Sequence, residues 1–176
     1  MLKLFWECLT VWSVPPTSLQ GAQAIIVHAA GENSPTDPGD VNRYNAEIVR
    51  NLYQRFKIPV IVQGEIAPCL KDIPLFAVSH LQAEVTPNYL ESEDIVLWHK
   101  EECDRIGATK VILVSYGNHY WRAMKATEKV GLIVLVPEGI AYVHDSRNSQ
   151  WWAKYETPNR FYEVAQRFRY LKKGWI

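Results

Sequence analysis

The sequence predicts a single α/β domain of Rossmann-like type, a three-layer α/β/α arrangement with a mainly parallel central sheet and C-terminal helices. Three observations lead there. Short apolar runs alternate with longer stretches of helical periodicity; the order strand, helix, strand occurs twice; and the runs are apolar throughout instead of alternating, as strands covered on both faces must be. At 176 residues the chain is long enough to close one substantial core.

The elements follow in order. Residues 1–16 read as an N-terminal amphipathic helix closed by Pro15 and Pro16. The core spans 24–137 and opens with Ala24-Ile-Ile-Val-His-Ala29, an apolar strand run between turn formers. Residues 31–40 gather Gly, Pro, Asp, Asn and Ser into a loop, and Asp40 is expected to cap a helix from about Val41 to Phe56, whose Val41, Tyr44, Ile48, Leu52 and Phe56 share one face. Pro59-Val-Ile-Val62 is the second strand, which implies a right-handed crossover and parallel pairing. From Ile66 to Asn88 the pattern is mixed, and Leu75–Ser79 fits either a short strand or part of a helix. Glu91–Gly107 reads as a helix with Gly107 as its stop, Val111–Val114 as a strand, His119–Val130 as a helix ended by Gly131, and Leu132–Val136 as a further strand. Gly139–Asn148 is a polar loop, and 148–176 carries helical patterning in two pieces with a break near Thr157-Pro158.

Composition narrows the partners. Nineteen Lys and Arg balance nineteen Asp and Glu, so no overall positive field draws nucleic acid or an anionic membrane surface, and any anion specificity must be local. Cys8, Cys69 and Cys103 are widely spaced, odd in number and without ligand spacing, which suits free thiols in a reducing, cytoplasmic setting. The apolar start of the chain is interrupted by Glu7 and is shorter than the ~20 residues a membrane span needs; packing on the domain is the expectation, with peripheral membrane contact as the alternative. Seven Trp and nine Tyr, many in the last third, either anchor terminal helices or line a cleft.

In open parallel sheets, ligands meet the loops at the carboxyl ends of the strands, where helix N-termini and backbone amides favour anions. Three loops qualify: 28–40, 63–68 and 115–122. They supply His28, Gly31, Glu32 and Asn33, with Arg43 early in the helix that follows; Gly64 and Glu65; and Ser115, Asn118, His119 and Arg122. The third loop is the richest. His119 and Arg122, three apart, share a helix face, and an Arg fork can hold phosphate or carboxylate while a His donates to it or moves a proton near neutral pH. The plainer possibility is that Asn118 caps the helix, His119 packs and Arg122 pairs with an acid. Neither a dinucleotide-binding glycine pattern nor a P-loop is present. A Ser/His/Asp set could be drawn from Ser115, His119 and Asp145, but Ser115 lacks the nucleophile elbow. No His, Cys or acid spacing indicates a metal, and His80, His99 and His144 read as structural.

The stretch Val111–Gly131 resembles the YdcF-like family, the group that includes the ElyC and SanA proteins. A strand ends in a hydroxyl residue, then come His, two residues, Arg-Ala, a short helix and Gly: Ser115, His119, Arg122, Ala123 and Gly131 match in order and spacing, and Glu93-Asp94 stands where the family has Glu-Asn. Looser similarity runs from Ala24 to about Pro137. The family's Gly-rich first turn is here His28-Ala-Ala-Gly-Glu-Asn33, and its Ser-Gly-Gly second turn is Gln63-Gly64-Glu65. The resemblance implies a Rossmann-like fold and a nucleotide-like ligand, S-adenosylmethionine among those suggested for relatives.

Two functions of different class follow. In one, the chain binds a phosphorylated or nucleotide-like anionic small molecule, as a hydrolase or transferase or as a binder: Arg122 and Arg43 hold the anion, His119 transfers the proton, Glu65 is an auxiliary acid or base, and Ser115 and Asn118 orient the ligand. In the other, it is a non-catalytic binding or assembly module whose Trp151, Trp152, Tyr155, Phe161 and Tyr162 form the contact surface.

Overall fold

The computed structural model describes residues 2–79 and 91–176. Five strands, β1 (Ala24–Val27), β2 (Val60–Gln63), β3 (Ala77–Ser79), β4 (Lys110–Val114) and β5 (Ile133–Leu135), form one sheet in the order β3-β2-β1-β4-β5, every neighbouring pair parallel. The ambiguous stretch before Ser79 thus contains a strand; His80 and the rest of that stretch to Asn88 lie outside the described residues. Ile26 is the centre of the register, facing Ile61 on one side and Leu113 on the other.

Because successive side chains in a strand point to opposite faces, the apolar runs feed two cores. Ala24, Ile26, Ile61, Val111 and Leu113 pack beneath α3 (Ser92–Arg105) and α4 (Gly117–Lys129); Ile25, Val27, Val60, Val62, Ile112 and Val114 meet α2 (Gly39–Phe56). All eleven are 0% exposed, which is why these strands read as continuous apolar runs. The third layer is thickened by α5 (Glu156–Lys173), which lies against α4 and against the N-terminal α1 (Leu2–Thr10). Among the described residues no helix is long and apolar enough to cross a membrane. All three cysteines are free, Cys8 and Cys103 buried, and burial pushes the Cys103 thiol up to about 12.

Four boundaries differ from expectation. The N-terminal helix ends at Thr10, not at Pro15 and Pro16, and the Cys8 and Val11 carbonyls at its end accept from the Arg167 guanidinium where a continuing helix would supply amides. The second helix begins at Gly39, not after Asp40, because Pro38 already holds helical backbone angles (φ −64°, ψ −13°); its first amides are capped by neighbours instead, Gly39 N–H donating to Asp37 Oδ1 (3.0 Å) and Asp40 N–H to Asp145 Oδ2 (2.7 Å). The fourth begins at Gly117, two residues before His119. Pro158 does not break the tail into two helices: it sits in the first turn of α5, where a missing N–H breaks no helical bond, and the shorter piece is a single 3₁₀ turn at Trp151–Ala153.

Candidate active site

The strand order reverses direction between β1 and β4, and a crevice opens there, beyond their carboxyl ends. His28 and Ala29 leave β1 into it, Gln63 and Glu65 come from β2, Tyr116, His119 and Arg122 from β4 and the start of α4, Ser92 from the start of α3, and Gln150, Trp152 and Tyr162 from the C-terminal segment. Its chamber is about 60 Å³, room for about four water-sized groups.

The inner wall is an assembly around Glu163. Arg122 makes a two-pronged contact with this carboxylate, Nε to Oε2 at 2.9 Å and one terminal nitrogen to Oε1 at 2.7 Å, while its other terminal nitrogen donates to Ser92 Oγ (3.1 Å) and its guanidinium lies over the Tyr170 ring (4.9 Å). His119 Nδ1 lies 3.3 Å from Glu163 Oε1. Arg122 is 3% exposed, His119 4% and Glu163 0%. Burial works against the Glu163 charge, yet Arg122 and then His119 outweigh it and hold the carboxyl below its ordinary range. Burial, reinforced by Arg122 and opposed by Glu163, lowers the His119 pKa and keeps the ring neutral. An ionised carboxylate only accepts, so Nδ1 carries the proton toward Glu163 and Nε2 is the basic nitrogen.

His28 stands beside this assembly, its ring centroid 5.8 Å from that of His119 and 5.1 Å from that of His99 on α3. Burial, then the neighbouring His99, holds His28 well below the ordinary imidazole range; burial alone takes His99 to about 3. His28 Nε2, both His99 ring nitrogens and Ser115 Oγ are buried with no hydrogen-bond partner among the described residues. Tyr116 stacks on His119 (5.2 Å, 24°), and Trp152 stacks on Tyr162 (4.6 Å, 16°). Among the described residues no group of three or more His, Cys, Asp or Glu side chains is placed to hold a metal ion.

Of the residues expected at the site, His28, Gly31, Glu65, His119 and Arg122 meet on the crevice wall. Gly31 has φ +56°, and a Cβ there would lie 2.9 Å from Gln150, so glycine allows both the turn and the approach of the C-terminal segment. Glu32 follows it, half-buried, its carboxyl raised by burial and then by Glu65. The others stand elsewhere. Gly64 packs against the backbone of Ser79, and Asn33 donates to Asp37 within its own loop (3.1 Å). Asn118 does not cap α4; its side chain donates to Asn159 Oδ1 (2.9 Å). Arg43 is on the surface, bound to Asp37 (2.6 Å) and Asp40 (3.0 Å). Asp145 caps α2, so the acid beside His119 is Glu163 instead.

The amides that leave β1 are also engaged: Ala29 N–H donates to Gln63 Oε1 (2.7 Å) and Ala30 N–H to Asn42 Oδ1 (3.0 Å). A phosphate would find them already satisfied. No family model matches the chain, and neither a curated protein nor a solved structure matches it. The geometry alone must carry the functional reading.

Sequence reasoning missed Gln63, Ser92, Gln150 and Glu163. The signal for Glu163 was its place in the series Asn159, Glu163, Arg167 and Tyr170, polar residues at helical spacing that α5 turns inward. Arg167 is 0% exposed and donates to the carbonyls of Cys8 (3.2 Å), Val11 (2.7 Å) and Asn118 (3.0 Å), tying the end of α1 to the first turn of α4.

Proposed function

We propose that the crevice binds a compact polar small molecule and that His119 exchanges a proton with it. The supporting observation is the carboxylate-backed neutral imidazole in a buried wall: Glu163 fixes the ring and its tautomer, and Nε2 is left as the base. Burial also removes competing water, which strengthens each polar contact made there. Arg122 positions Glu163 and closes the floor through Ser92. Among the described residues no serine is hydrogen-bonded to His119, so a bound water or a proton on the ligand is what the base would act on, and hydrolysis or proton abstraction fits better than acyl transfer to the enzyme.

A second reading keeps the phosphorylated or nucleotide-like ligand, a hydrolase or transferase substrate, expected from Arg122 and His119 at a helix start, its nucleotide-like character being what the YdcF-like resemblance implies. Arg122 favours it, since a guanidinium has five N–H donors and Glu163 and Ser92 engage three. The non-catalytic assembly reading is supported by the exposure of Trp151, Tyr155 and Phe161.

The test is a thermal-shift screen of the whole chain against amino acids, amines, sugar phosphates, nucleotides and S-adenosylmethionine, repeated on His119→Gln. The expected result is a compound that raises the wild-type midpoint by several degrees and loses that effect in a folded His119→Gln protein. A folded wild type that no compound shifts would overturn the proposal and leave the aromatic surface as the functional feature.

A further inference from the structure

Resting on the small-molecule reading above, we propose that the ligand presents a cationic nitrogen, an amine or ammonium group, to Glu65 and Glu32 at the rim of the crevice while its remainder reaches His119. The first observation is the balance of charge. Among the described residues Arg122 is the one Lys or Arg on the crevice wall, and Glu163 already matches it. His28 and His119 are neutral. Glu65 is on the wall, Glu32 adjoins it, and among the described residues no Lys or Arg pairs with either. Residues 80–90 contain no Lys or Arg either. The site therefore carries an excess of two carboxylates, which repels an anion and stays uncompensated unless a cation binds.

The second observation is independent of the acids. His28 is 2% exposed, lies on the same wall, and its Nε2 has no partner among the described residues. Leaving a buried polar nitrogen unpaired is costly, and a small polar ligand with N–H donors is a group that relieves it. Gln63 and Gln150 add amide groups to the wall, and Tyr116, Trp152 and Tyr162 add aromatic rings, whose faces attract cations.

The test is calorimetric titration of the whole chain with ethanolamine, putrescine and choline, beside inorganic phosphate and AMP, on wild type, Glu65→Gln and Glu32→Gln, at low salt. We expect at least one amine probe to bind, its affinity to fall by at least about threefold in each Gln variant, and phosphate and AMP to give no heat. The proposal is overturned if no amine binds, if amine affinity is the same in Glu65→Gln, or if phosphate binds and Glu65→Gln tightens it. In that last case a further loss of phosphate binding in His119→Gln keeps the small-molecule reading while removing the cationic ligand; silence from both the amines and the wider screen removes both.

Discussion

Arg122 and Arg43 occupy similar places, early in two helices that leave the carboxyl end of the same sheet, and each meets carboxylates within 3.0 Å. Their surroundings differ. Arg122 and Glu163 have side chains 3% and 0% exposed, and the partner lies 41 residues away on another helix. Arg43 is 48% exposed, its partners are three and six residues away, and Arg147 competes for the same Asp37 and Asp40. Water screens the second arrangement and is largely kept from the first. A buried pair is one in which each charge depends on the other, whereas a surface network loses little when a member is removed.

The largest break in that comparison comes from Glu163→Ala, which strands a buried guanidinium. We expect a loss of about 3–5 kcal/mol in urea denaturation, and a smaller loss for Arg122→Met combined with Glu163→Met, because replacing both charges by apolar groups removes the need for compensation. A single variant within about 1 kcal/mol of wild type would mean that solvent reaches the pair.

The same burial acts on the imidazoles and can be read from pH. His99 has a folded pKa of about 3, against 6.5 for an ordinary histidine. Below pH 6.5 the unfolded chain takes up a proton that folded His99 refuses, so its contribution falls as pH drops from 6.5 and levels off near 3. At about pH 4.5 this amounts to roughly 3 kcal/mol. Glu163 acts in a separate window: its folded pKa is depressed, so its stabilisation is present above the ordinary glutamate range and is lost only at lower pH. Urea midpoints at pH 7.5 and pH 4.5 should therefore separate wild type from His99→Leu, the variant losing much less on acidification. Parallel losses would place solvent at His99.

Much of the architecture was legible in the sequence. Strands such as Ile25–Val27 and Val111–Val114 are buried on both faces, so their apolar runs are unbroken, and strand order then brings His28, Glu65, His119 and Arg122 to one crevice. What could not be read depends on contacts far apart in the chain. In α5 the apolar series Phe161, Val164, Phe168 and Leu171 looks like the buried stripe, yet Phe161 is 75% exposed while Asn159, Glu163, Arg167 and Tyr170 face inward. Periodicity locates a face but not its direction when buried polar groups find partners, here Asn118, Arg122, the α1 carbonyls and Glu93. Asp145 illustrates the same limit, capping a helix 105 residues earlier. Asp145→Ala should cost about 1–2 kcal/mol by leaving the Asp40 amide without its acceptor, with faster amide exchange confined to the first turn of α2; uniform loss of protection would show a wider role.

The smallest effect belongs to Arg43. Hydrogen bonds from Gly39 and Asn33 as well as from Arg43 hold Asp37 at about 2, so removing one donor leaves two, and Arg147 remains within 3.6 Å. Arg43→Ala should leave the urea midpoint unchanged within error and raise the Asp37 pKa only part of the way toward its ordinary value, as read by carboxyl NMR titration. A midpoint shift as large as that of Asp145→Ala would show that the surface network acts as one cooperative unit, and the contrast between buried and exposed arginines would then lie in network size instead of access to water.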